Sequence, residues 1–127
     1  MSLKPITIPG NFRTDMVSDE EIMDFLEKKV RDKYPQGRVK RMMKRAGAQP
    51  FQIFPKPAIA GLLAPVTCNV MVRRKKNGEL TVWVDVGNTS FLAVADLIFM
   101  VLCLRKRMAL KEEVAGWLTP FLQAKRR

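Results

Sequence analysis

Two runs of alternating apolar residues flank Lys76-Asn77-Gly78, and no other feature limits the fold of this chain more tightly. Val66, Cys68, Val70 and Val72 alternate before the turn, and Leu80, Val82, Val84 and Val86 alternate after it. A period of two puts each set on one face of a strand, and a turn rich in Asn and Gly between two such runs marks a β-hairpin. A two-residue Asn-Gly loop would set Val72 opposite Trp83 and Val70 opposite Asp85, mixing the faces. A three-residue loop, with Gly78 in the left-handed region as a bulge, pairs Val72 with Val82 and Val70 with Val84. A slip of one residue turns every side chain over, so the apolar match selects the three-residue loop. The outer face then carries Lys75 opposite Glu79, Arg73 opposite Thr81, Met71 opposite Trp83 and Asn69 opposite Asp85. It is open to solvent unless a helix covers it.

A helix over 19–33 is equally well marked. Ser18 and Glu21 form a capping box, Asp19 and Glu20 complement the positive helix end, and Val17 with Ile22 has the spacing of a hydrophobic staple. Ile22, Phe25, Leu26 and Val30 recur at helical spacing, so one face must pack on something. Tyr34-Pro35-Gln36-Gly37 ends the element, because the residue before proline avoids helical geometry.

The remaining segments give less. Between Gly37 and Gly47 a helix is preferred to a strand: Val39, Met42, Met43 and Ala46 share a helical face, whereas neither alternating set is cleanly apolar. In either case Arg38, Lys40, Arg41, Lys44 and Arg45 face solvent. Pro50, Pro55, Pro57 and Pro65 rule out a regular central strand over 49–65, leaving room for a short edge strand around Phe51 and Ile53 before Pro55. An apolar helix is expected from about Phe91 to Met108, with Arg105, Lys106 and Arg107 suiting its negative end. A last helix is expected from Leu110, broken or restarted at Thr119-Pro120. The expected class is therefore α+β: one small domain over 1–127 with an N-terminal capped helix, a central antiparallel hairpin or small sheet, and two C-terminal helices. Residues 1–15 and 124–127 are expected to be flexible.

Charge is distributed unevenly. From Lys33 to Asn77 there is no Asp or Glu and there are eleven Lys and Arg, and nearly all of the net charge of +11 arises in this third of the chain. Such asymmetry marks a surface for anions more often than general solubility does. Arg38, Lys40, Arg41, Lys44 and Arg45 form one candidate cluster, and Arg73, Lys75 and Lys76 at the hairpin tip a second, with Trp83 beside Met71 as the stacking surface next to them.

Catalytic chemistry finds little support. Histidine is absent, which removes Ser–His and Cys–His nucleophile pairs and imidazole metal ligands. None of the glycines has phosphate-loop or dinucleotide spacing. The paired acids Glu20-Glu21 and Glu112-Glu113 are read as dipole compensation in first helical turns. Asp96, inside an apolar run, needs a partner such as an arginine. Cys68 and Cys103 are read as reduced core thiols, with a single bridge between them as the alternative, no secretory signal is seen in MSLKPITIPG, and Phe91 to Leu104 is too short to span a bilayer.

The expectation is a small, basic, non-enzymatic protein of the reducing cytoplasm, without cofactor or metal. It would bind DNA or RNA through sequence-independent phosphate contacts. The competing expectation is a homodimer or higher oligomer, an assembly or adaptor protein whose apolar helix 91–104 packs at a subunit interface. Attachment to an anionic membrane surface is a third.

Overall fold

The structure is a computed structural model, and it describes residues 4–57, 66–86, 98 and 101–126. The chain is α+β: among the described residues, a six-stranded antiparallel sheet carries two long helices. The strands are β1 (Ile6–Thr7), β2 (Phe12–Arg13), β3 (Arg38–Arg41), β4 (Ala48–Phe54), β5 (Cys68–Arg74) and β6 (Glu79–Asp85). The helices are α1 (Asp19–Lys33) and α2 (Leu104–Lys125). The order across the sheet is β1-β6-β5-β4-β3, with β2 also pairing along β6.

The β5–β6 hairpin has the expected register. Val72 faces Val82, Val70 faces Val84, Met71 faces Trp83, Arg73 faces Thr81 and Asn69 faces Asp85. Gly78 sits at φ 91°, a conformation that side chains with a Cβ rarely adopt. The inner valines continue outward through Phe51 and Ile53 of β4 and Val39 of β3. This apolar face meets Ile22, Leu26 and Val30 of α1 and Leu110, Val114, Leu118 and Leu122 of α2 in one core.

α1 forms as expected. The Ser18 hydroxyl accepts from the Glu21 N–H and the Glu21 carboxylate accepts from the Ser18 N–H, each at 3.1 Å. Val17 and Ile22 are both buried. α1 lies over β3, and α2 lies over β1, β5 and β6. The helices touch through Phe25 and Phe121, whose rings stack with centroids 4.0 Å apart.

Five expectations are corrected. The segment 38–46 is not a helix: β3 pairs with β4 from Arg38 opposite Phe54 to Arg41 opposite Phe51. Of the side chains whose helical spacing suggested an apolar face, only Val39 is buried, and Met43 is 85% exposed. Alternation was hidden because Met42 pairs with Pro50 and Arg45 with Ala48, so Met43 and Lys44 together stand opposite Gln49 as a bulge.

Secondly, β4 is an interior strand despite Pro50. The Met42 N–H donates to the Pro50 carbonyl (3.0 Å), but proline has no N–H to return the bond to Met42. The Gln49 side-chain amide makes that donation instead, reaching the Met42 carbonyl at 2.6 Å.

Thirdly, the helix break expected near 108–110 lies at Cys103, and α2 then runs unbroken through Pro120. Leu118 and Leu122, buried on either side of it, hold the helix to the core. Gly116, whose carbonyl loses its donor, is exposed to water. Consequently Arg105 to Arg107 open α2 rather than close a preceding helix. Arg107 is fully buried, and Glu113 is in mid-helix rather than in a first turn.

Fourthly, residues 4–15 are not a loose arm. β1 and β2 pair with β6, and Ile8 and Phe12 are buried. Fifthly, residues 124 and 125, expected to be frayed, complete the last turn of α2. The bulk of the expected helix 91–104, including Asp96, lies outside the described residues, although Ile98, Val101 and Leu102 are helical.

Candidate functional site

Sheet register brings the two basic segments together. β4 and β5 are antiparallel with Ala48 opposite Arg73, so the turn before β4 and the turn after β5 project from the same end of the sheet. The first turn closes with reciprocal bonds between Arg45 and Ala48, at 2.9 and 2.8 Å. Ala46 (φ 48°) and Gly47 (φ 79°) both have positive φ, the geometry of a type I′ turn. The second turn closes from Lys75 to Glu79. A direct bond from the Arg73 guanidinium to the Ala46 carbonyl, 3.3 Å, joins the two tips.

Lys44 and Arg45 on one tip thus stand beside Lys75 and Lys76 on the other. Arg13 joins them because β2 pairs with the start of β6, placing Arg13 opposite Glu79, and because the Thr14 N–H donates to the Gly78 carbonyl at 2.9 Å. Arg13 was not legible as a site residue, since a two-residue strand leaves no periodic signal. Lys75 is 3.5 Å from Glu79, both of them half-exposed, an interaction that solvent weakens. Among the described residues, Arg13, Lys44 and Lys76 make no ion pair.

The other predicted residues separate by strand parity. Arg38 and Lys40 of β3 and Arg73 of β5 lie on the face away from the helices. Lys40 stands 5.3 Å over the Phe54 ring, and the Arg73 guanidinium 5.2 Å over the Trp83 ring. Both are cation–π distances. Arg41 is diverted elsewhere. It bonds Asp19 and Glu20 at the start of α1, each at 3.2 Å.

Arg74, absent from the candidate clusters, is structural. It donates to the Thr14 carbonyl (2.7 Å), the Val17 carbonyl (2.8 Å) and the Asp19 carboxylate (2.8 Å). These bonds fasten the chain entering α1 to the end of β5. The Glu20 carboxyl is held below its ordinary range by backbone hydrogen bonding at the helix start and then by Arg41. Glu21 is lowered by the Lys125 ammonium and by the Ser18 N–H.

A separate cleft of about 470 Å³ lies between the first half of α2 and the chain around Tyr34, Pro55 to Pro57 and Val66, with Cys103, Leu110 and Glu113 on the helix side. Two of its polar groups hold the end of α1 to α2: the Tyr34 hydroxyl donates to Glu113 at 2.6 Å, and Lys33 pairs with the other carboxylate oxygen, while Lys56 and Lys106 also line it. Burial, and then this bond, raise Tyr34 to about 12, which leaves it poorly suited to proton transfer near neutral pH. Cys68 and Cys103 are free, and burial pushes the Cys68 thiol up. Among the described residues, no group of three or more Cys, Asp or Glu could hold a metal ion, and no helix is long and apolar enough to cross a membrane.

No protein-family model, no curated protein and no solved structure matches this chain.

Proposed function

We propose that this chain is a small, non-enzymatic nucleic-acid-binding protein that grips phosphate backbones without reading sequence. One observation carries this reading: the Lys44–Arg45 tip and the Lys75–Lys76 tip are adjacent and tied through Arg73 and Ala46. Clustered cations that neutralise phosphates release counterions, so affinity should fall steeply with salt. A double variant, Lys44→Glu with Lys76→Glu, reverses two tip charges that make no ion pair among the described residues. It should abolish binding of a labelled oligonucleotide at low salt while leaving the thermal midpoint of the protein nearly unchanged. Wild-type protein that binds neither duplex nor single strand at low salt overturns the reading. A reducing, cytoplasmic location suits both such a ligand and two free thiols.

A second reading, self-association, is favoured by Ile98, Val101 and Leu102. They are spaced for one helical face and are 55%, 72% and 75% exposed. Light scattering tests it: a strict monomer at high concentration, unaltered by Val101→Asp, removes it.

A further inference from the structure

The outer face of the sheet limits the kind of nucleic acid that fits. Trp83 projects from β6 away from both helices, is partly exposed, and lies between Met71 of β5 and Thr7 of β1. The Arg73 guanidinium sits 5.2 Å from the indole centroid and is held there by its bond to the Ala46 carbonyl. The result is a cationic, pre-oriented pair next to the tips that carry the Lys and Arg clusters. Lys40 is on the same face, two strands and four residues away, roughly 16 Å by strand spacing and rise.

Aromatic rings and guanidinium planes both receive unpaired bases by stacking, and every base has a face to offer. In a duplex those faces are covered by neighbouring base pairs. Duplex readers instead insert a helix or a free two-stranded ribbon into the major groove. Here α1 and α2 are packed on the opposite face, and both basic hairpins are paired into the six-stranded sheet.

We infer that the ligand is single-stranded nucleic acid, with its backbone on the hairpin tips and a base stacked on the Arg73–Trp83 pair. This rests on the nucleic-acid reading above and specifies its substrate class.

The test measures anisotropy of a labelled oligothymidine of about ten nucleotides, within the site sizes of known single-strand binders, and of a duplex of equal length. Wild type should prefer the single strand. Trp83→Ala should weaken single-strand binding about tenfold, with duplex binding and the salt slope unchanged, and Trp83→Phe should restore most of the loss. If Trp83→Ala fails to fold, a Trp117→Phe protein leaves Trp83 as the only tryptophan, and its fluorescence should be quenched by oligothymidine. Tip variants that abolish binding, together with a Trp83→Ala that binds both ligands like wild type or an unquenched Trp83, overturn the single-strand inference and leave the nucleic-acid reading standing. Wild type that binds neither polymer overturns both.

Discussion

Arg74 lies on the same face of β5 as Val70 and Val72, and Arg73 lies on the other. That one step of strand parity gives adjacent arginines opposite roles. Arg73 rests on Trp83 at the surface, while Arg74 ties the chain ahead of α1 to the sheet. Tyr34 is the residue-scale feature most open to direct measurement, because it is the only tyrosine in the chain. Its neutral phenol is the form that donates to Glu113, and the folded value of about 12 lies above the ordinary 10. A group raised in this way contributes stability that is complete below pH 10 and is lost as pH climbs towards 12. An ultraviolet titration of tyrosinate should therefore have its midpoint near 12, with Glu113→Gln recovering only part of the shift, because burial is the larger cause. A midpoint at the ordinary value would mean that the phenol is open to water. The parity of Arg74 was legible in the sequence, since the alternation that buries Val72 also turns residue 74 inward. Its partner Asp19 was not, because fifty-five residues separate them and only the fold closes that gap.

At the scale of elements, β4 shows how an interior strand tolerates a proline. The Gln49 amide replaces the N–H that Pro50 lacks, so the two residues form a unit. Gln49→Ala should cost about 1–2 kcal/mol by leaving the Met42 carbonyl without its donor. In a Pro50→Ala background the backbone N–H returns, and the same change should cost roughly 1 kcal/mol less. Urea denaturation of the four proteins measures this coupling, and additive losses would refute the substitution. The contrast between elements that could be read and those that could not has a physical basis. α1 and the β5–β6 hairpin carry their signals locally, in caps, a staple, alternation and a turn glycine. β3 is a four-residue edge strand with basic outward positions and a bulge behind it, so its pairing is dictated by β4 and not by its own pattern. In α2, packing on both sides of Pro120 overrode a local signal to stop.

For the whole molecule, the two helices are fastened along their length. Lys125 at the end of α2 reaches Glu21 at the start of α1 at 2.7 Å, and Glu113 receives Tyr34 and Lys33 at the other end. Glu20 and Glu21 are both held below the ordinary 4.5, so their contribution is present above that pH and is lost as pH falls beneath it. Melting temperature should decline as the solution is acidified below about 4.5, and Glu21→Gln should flatten that decline. An identical pH profile in the variant would show that the cross-link to Lys125 contributes nothing. The candidate site was legible as a list of cations but not as a surface. Its coherence comes from the antiparallel pairing of β4 with β5, which sets Ala48 beside Arg73.

The bond between Arg73 and the Ala46 carbonyl has a thermodynamic consequence. It adds to the β4–β5 pairing that sets two like-charged turns at one end of the sheet, so folding brings their charges together against mutual repulsion. In the unfolded chain Lys44 and Lys76 drift apart and that energy is released. Any counter-charge that settles between the tips relieves the native state alone, and so shifts the folding equilibrium towards it. If phosphate binds there as proposed, the thermal midpoint should rise with added ligand.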